Sequence, residues 1–375
     1  MQQTISVEIL DNPDAVLVPG EPLERLAQQA GDHGLFYRGG WLRSHWPALE
    51  RYGGPLFLLA RKGSRPVGLA PLQLERKAVT KGGLRRLHVL GNAPGAMDNM
   101  APDLLLADPA ERDGVLAAFG DCLLGSLSRR WDLLELRYVR PESPLADLAR
   151  LLGAEPEGQE QMETPLIDVA GSFDDYLAGR SKNLRKMVRR RRKQLAARPG
   201  GHRYLSGPTL EPALLERVAR LHSQRQARLR QQGRERISLF DDPVQARGFG
   251  ELLTWAAAEG ATWHHWLEVD GKLAGALLSF RQGRTLFPYL IAIDEEFGEL
   301  SPSLLLHMQL VEQAHEQGQI RLIDQLPGEN QLKRQISTRM RPHHRYSIPN
   351  SARTGAQVRL GYYRLAKDLL GRFRS

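Results

Sequence analysis

Apolar positions along this chain recur at two spacings, and the two alternate in blocks. Short continuous or every-second-residue runs predict strands; recurrence every third or fourth residue predicts helices. In the N-terminal half, helical spacing covers Pro22–Ala30 and Trp41–Arg51. The runs Leu56–Ala60 and Val67–Leu74, joined by the polar turn Arg61–Pro66, predict a hairpin. Arg86–Leu90 predicts a third strand. A helix opens at Asp108-Pro109 and runs to Ser128, with proline at the position where a missing N–H costs nothing. Trp131–Val139 reads as a strand and Ser143–Leu152 as a helix stopped by Gly153.

The C-terminal half repeats this order. Helices are predicted over Glu211–Gln232 and Pro243–Glu259. Trp263–Val269 and Lys272–Phe280 flank Asp270-Gly271, a strong two-residue hairpin signal. A strand over Thr285–Asp294, a helix from Ser301-Pro302 to Gln317, a strand over Ile320–Gln325 and a short helix over Glu329–Ser337 follow. The agreement of six successive elements predicts an internal duplication with a period near half the chain.

A hairpin feeding a strand, a crossover helix and a parallel strand makes a mixed sheet with helices on its faces. The expected fold class is therefore α/β with a mixed sheet, in two tandem halves facing a central cleft. The expected organisation is an N-terminal half over 1–165, a basic helical connecting arm over 166–200, a C-terminal half over 201–350 and a basic tail over 351–375.

Composition agrees. The chain has 375 residues, 41% hydrophobic and 25% charged, too long for one hydrophobic core. No apolar run reaches the roughly 18 residues of a membrane span. The N-terminus lacks a signal-peptide pattern and the single Cys122 rules out an internal disulfide, so the cytoplasm and bacterial-style soluble chemistry are expected.

The net charge of +9 is concentrated. Arg180 to Lys193 carries nine basic residues and no acidic one; Lys333 to Ser375 carries eleven and a single acid, Asp368. Such patches predict a phosphate-bearing or otherwise anionic partner.

Nucleotide-binding, zinc-protease and hydrolase motifs are absent from the sequence. His264-His265 falls in a strand, where neighbours point to opposite faces, so the pair cannot ligate one metal; no metal is expected. Cys122 shares an apolar stripe with Leu116, Phe119 and Leu123 and is expected to pack. At the start of the helix after Thr285–Asp294, unpaired N–H groups and a partial positive charge suit a phosphate, with Ser301 able to cap and Pro302 pre-setting the turn. In the arm, Leu184, Val188 and Leu195 form an apolar stripe, and Arg185, Arg189 and Arg192 share one face.

Four stretches carry a family resemblance. The arm SFDDYLAGRSKNLRKMVRRRRKQL, the helix SPSLLLHMQLVEQAHEQG, the ending IRLIDQLPGENQLKRQIS and the hairpin LLARKGSRPVGLAPLQL resemble the CelD-like branch of the GNAT acyltransferase superfamily, whose members accompany cellulose or other exopolysaccharide genes. The ending matches that branch's Asp-x-x-x-Gly-x-x-x-x-Lys at Asp324, Gly328 and Lys333. Phe297–Ser303 lacks the glycine pattern of ordinary GNAT phosphate loops, and Leu332 stands where the family commonly has an aromatic. The branch is related to Fem-type aminoacyltransferases, which pair two GNAT-like halves.

The resemblance implies an acyl-CoA-dependent N-acyltransferase, with acetyl-CoA or another acyl-CoA as co-substrate. The acceptor would be a small-molecule amine or amino sugar, anionic or phosphorylated, in polysaccharide or cell-envelope biosynthesis. Asp324 is then the candidate base or amine anchor, with a capping carboxylate as its alternative role. Lys333 would protonate the thiolate or hold a phosphate, and Tyr289 is a second candidate acid or a core aromatic. Ser301, Ser303 and Leu304 would receive the pyrophosphate, and Arg185, Arg189 and Arg192 an anionic acceptor or the CoA phosphates. The loop Gly91–Pro102, with no compact helix start after its strand, predicts a first half without a donor site. The alternatives are a Fem-type enzyme using aminoacyl-tRNA, with RNA on the basic segments, and a non-catalytic scaffold for a polysaccharide synthase.

Overall fold

The computed structural model describes residues 4–12, 14, 22–75, 84–93, 101–157, 163–233, 237–328, 330–355 and 357–358. Most of the expected basic tail, 351–375, lies outside the described residues, as does the middle of the Gly91–Pro102 loop. The elements run β1 (Ile5–Leu10), α1 (Pro22–Gln29), α2 (Gly39–Leu49), β2 (Gly53–Lys62), β3 (Arg65–Glu75), β4 (Arg86–Val89), β5 (Leu105–Leu106), α3 (Arg112–Leu124), β6 (Leu133–Val139) and α4 (Pro144–Leu151). They continue with β7 (Glu163–Asp168), α5 (Phe173–Ala178), α6 (Lys182–Ala196), β8 (His202–Gly207), α7 (Pro212–Gln231), α8 (Pro243–Ala258), β9 (His264–Val269), β10 (Lys272–Gln282) and β11 (Thr285–Ile293). The last are α9 (Pro302–Gln317), β12 (Leu322–Asp324), α10 (Gln331–Ile336), β13 (Arg339–Pro342) and β14 (His344–Pro349).

Two compact units result, 1–162 with 342–375 and 163–341. Each holds one mixed sheet, so the expected α/β class is the observed one. The first sheet runs β1-β2-β3-β4-β6-β14, with β5 on β3, and the second runs β13-β7-β12-β11-β10-β9-β8. The duplicated unit is visible in both: a hairpin, β2–β3 or β9–β10, is followed by β4 or β11, a helix, and a parallel neighbour, β6 or β12. The arm residues lie in the second unit, whereas β14 pairs with β6 of the first sheet.

Local chemistry accounts for the turns. Asp270 and Gly271 have φ of 50° and 75°, the left-handed pair that a tight hairpin needs and that Asp-Gly supplies at low cost. In each hairpin the return strand has a glycine facing a neighbour that leaves no room for a side chain. A Cβ at Gly68 would stand 2.6 Å from Val115 of α3, and one at Gly275 would stand 3.2 Å from Leu306 of α9 and 3.0 Å from the Ala292 carbonyl. The crossover helices therefore settle directly on their sheets.

Several expectations need correction. The helical arm is broken in two: α5 opens on a Ser172–Asp175 capping box and is capped at its end by Gly179, and α6 starts anew from a Ser181 cap. Cys122 is half-buried beside Ser126, at the margin of the stripe that buries Leu116, Phe119 and Leu123. The helix that contains it stops at Leu124 rather than Ser128. Strands β1, β5, β7, β8, β13 and β14 were not expected; β1, β8, β13 and β14 are outermost in their sheets and β7 is next to outermost.

Candidate active site

In the second unit, β11 pairs with β10 along its whole length, from Thr285 opposite Gln282 to Ile293 opposite Gly275. Its other edge meets the parallel strand β12 only at Thr285↔Leu322 and Leu286↔Ile323. After Leu286 the parallel pairing with β12 stops. A bulge lies in this stretch. Leu278 faces Leu290 while Ser279 faces Pro288, so Tyr289 is the extra residue of the bulge. Proline is tolerated inside a strand at such a bulge, and bulges re-aim the backbone beside them. The Tyr289 ring packs on Phe249 and Phe280, with centroids 6.1 and 5.4 Å away.

Beyond β11, Asp294 accepts the Glu296 N–H at 2.9 Å and starts a 3₁₀ segment, Glu295–Leu300. Ser301 then turns left-handed, φ 55° and ψ 61°, and α9 begins with Pro302 at its first position. The Ser301 hydroxyl makes no cap bond, contrary to expectation. A capping side chain needs an extended backbone beneath it, and the left-handed turn removes that geometry. The Leu304 N–H reaches back to the Ser301 carbonyl at 3.0 Å, and its side chain is in the core. A cavity of about 370 Å³ opens here. It is lined by Ser301, Pro302 and Ser303, by Ile293, Glu295 and Gly298, and by Arg225 and Arg228 of α7. Arg228 pairs with Glu295. The two arginines were not foreseen; among the many cations of α7 only their spacing of three residues, one face of the helix, hinted at them.

At the far strand of the parting, Asp324 is fully buried. One oxygen accepts the Leu326 N–H at 3.0 Å and the other the Arg341 guanidinium at 2.6 Å. This bond holds Leu326 at φ 59°, a conformation leucine rarely takes. Lys333 donates its ammonium to the carbonyls of Gln325 at 2.7 Å and Gly328 at 3.1 Å, so the spacing read as a motif is a clamp on the loop 325–328. Among the described residues, both amide atoms of the buried Gln325 side chain are without a partner.

Three histidines lie in this unit's interior. Burial pushes His307 on α9 down to about 4, and the nearby Lys333 charge adds to the effect. Its Nδ1 is 2.7 Å from the Ser303 carbonyl, so that nitrogen carries the proton and donates it. His264 and His265 are likewise lowered to about 4 by burial. They do point to opposite faces: His264 accepts the Ser279 N–H, and His265 bonds Gln313 of α9 at 3.0 Å.

The arm arginines separate. Arg192 pairs with Glu312 at 2.7 Å and lies over Phe173; Arg185 donates to the Ala178 carbonyl at 3.1 Å; Arg189 is exposed.

In the first unit the corresponding parallel pair, β4 and β6, is registered from Arg86↔Leu133 to His88↔Glu135. Beyond it the Asn92 side chain accepts the Arg137 N–H at 3.0 Å and bridges the gap.

Residues 182–334, from α6 into α10, match the family model of the acetyltransferase (GNAT) domain, which takes in β11, β12 and the cavity at α9. No curated protein matches the sequence. Among solved structures, FemX is similar over 92% of this chain and 98% of its own, with a TM-score of 0.62 and 10% identity. A conserved protein of unknown function from Bacteroides thetaiotaomicron VPI-5482 is similar over 91% and 99%, with a TM-score of 0.58 and 10% identity. At such identities the likeness is one of fold.

Proposed function

We propose that the second unit transfers an acyl group from a CoA thioester to an amine. The observation that carries this reading is the cavity at the first turn of α9, where Ser301 and Ser303 face Arg225 and Arg228 beside Ile293 at the end of β11. The acetyltransferase-domain match over the same residues supports it. The donor phosphates would rest on the first turn of α9, at Ser301, Ser303 and Leu304, with Arg225 and Arg228 across the cavity in place of the missing glycine loop.

In the reaction the amine nitrogen attacks the thioester carbonyl, forming a C–N bond and moving an electron pair onto oxygen. Backbone N–H groups at the end of β11 would stabilise that oxyanion. Collapse breaks the C–S bond, and the proton lost by the amine passes to the departing sulfur. Asp324 and Lys333 act in this proposal by positioning the loop 325–328. Both Asp324 oxygens are engaged, which leaves it poorly placed to take a proton. Gln325 offers its unpartnered amide as a donor and an acceptor at the β12 side. Tyr289 serves as a core aromatic, its ring packed on Phe249 and Phe280. The first unit serves without a donor site, since Asn92 bridges the equivalent gap. The CelD-like resemblance supports an amino-sugar acceptor in polysaccharide or envelope biosynthesis and acetyl as the acyl group, and a CoA donor fits a cytoplasmic location.

Calorimetric titration with CoA tests the reading. Wild type should bind, and Arg225→Gln with Arg228→Gln should weaken binding by roughly tenfold or more, the loss of charge-assisted hydrogen bonds. Failure of the wild type to bind CoA, with RNA copurifying and released by high salt, would move the donor to aminoacyl-tRNA.

A further inference from the structure

The nine cations from Arg180 to Lys193 divide by partner. Arg180 donates to the Ser337 carbonyl and lies over Tyr176; Arg185, Arg191 and Arg192 bond Ala178, Gln194 and Glu312. The other five, Lys182, Lys186, Arg189, Arg190 and Lys193, are exposed, and no carboxylate pairs with them among the described residues.

These five are not scattered. At 100° per residue they fall within an arc of about 100°, opposite Leu184, Val188 and Leu195, and they extend about 16 Å along the axis. The three apolar residues are buried in the unit's core, so the helix cannot roll the row away from solvent. The first turn holds no acid, although the helix dipole favours one there. Repulsion along the row thus goes without internal relief.

The chemistry of the row selects its partner. It has no aromatic side chain on which bases could stack, as a single-stranded nucleic acid requires. The apolar stripe is used up inside the protein, so α6 cannot insert into hydrocarbon. A straight, rigid row of Lys and Arg with no reading groups fits a plane of diffuse negative charge. We propose that this face of α6 docks the protein, reversibly and by charge alone, on a bilayer surface bearing anionic phospholipid headgroups. The inference rests on the helix surface and is independent of the acyltransferase reading.

Co-sedimentation of the full chain with vesicles tests it. Binding to mixed phosphatidylglycerol–phosphatidylcholine vesicles is expected at low salt, with none to phosphatidylcholine alone and loss at roughly 0.5 M salt. Each surface cation is worth roughly fivefold in partitioning, so Lys186→Gln with Arg190→Gln should lose roughly 25-fold, and the quintuple Gln variant should not bind. Glutamine has a helix propensity close to that of lysine and arginine, so the fold should persist, as circular dichroism would verify. If the quintuple variant does not fold, the double variant decides. Equal binding to neutral vesicles, or unchanged binding by the folded variants, would overturn the proposal. So would a wild type that ignores vesicles but binds duplex RNA through these five residues.

Discussion

Replacing Asp324 by Asn keeps the shape of the side chain and removes its charge. Its carboxylate is 1% exposed and faces Arg341, whose side chain is 12% exposed, at 2.6 Å. The arginine stays charged, and the substitution leaves it buried opposite a neutral amide. Breaking one partner of a buried pair costs roughly 3–5 kcal/mol, chiefly the desolvation of the charge left behind. The loss should be confined to the second unit. For a unit of this size each kcal/mol moves the melting temperature by about 2–4 °C, so its transition should fall by roughly 6–20 °C. A strand-end aspartate that faces solvent is replaceable at little cost; complete burial removes that tolerance here. Differential scanning calorimetry of the full chain reads the shift. The double variant Asp324→Asn with Arg341→Met should recover much of it, since removing both charges removes the unpaired one. A single variant that melts within a degree or two of wild type would refute this account of the pair.

Three further outcomes follow from the same unit. His264, His265 and His307 are held neutral by burial, at about 4 against an ordinary 6.5, so the unfolded chain binds more protons below that value. Stability should be full above pH 6.5 and fall by roughly 1.5 kcal/mol per histidine between pH 6.5 and 5, and His307→Phe should flatten that decline in urea titrations. Gly275→Ala should destabilise the unit by roughly 1–3 kcal/mol, because its Cβ would press on Leu306 and the Ala292 carbonyl; a neutral effect in urea titration would mean that α9 has room to shift. Lys333→Ala frees the carbonyls of Gln325 and Gly328, so amide hydrogen exchange in 325–328 should quicken, while CoA affinity, which we propose is carried at α9, should change little.

Local signals were legible in the sequence because their causes are local. Asp270-Gly271 closes its hairpin through the φ values of two residues, and Pro302 starts α9 whatever lies around it. The duplication was legible for the same reason, since it is an order of elements, each with its own period. The apolar stripe Leu184, Val188 and Leu195 told which side of the arm is buried. What packs against that stripe was not in the sequence. Strands β7 and β14 were missed because short strands at sheet margins carry little periodicity, and their place is settled by pairing with β12 and β6, far away in the chain. Asp324, Lys333 and the arm arginines were found as residues, but their partners, Arg341, the loop carbonyls and Glu312, lie on other elements. A charge declares its sign in the sequence; whether it is paired, buried or open to a ligand depends on distances that only the packed chain creates. The parting of β11 from β12 is likewise a property of two strands together, since neither sequence states where pairing with the other stops.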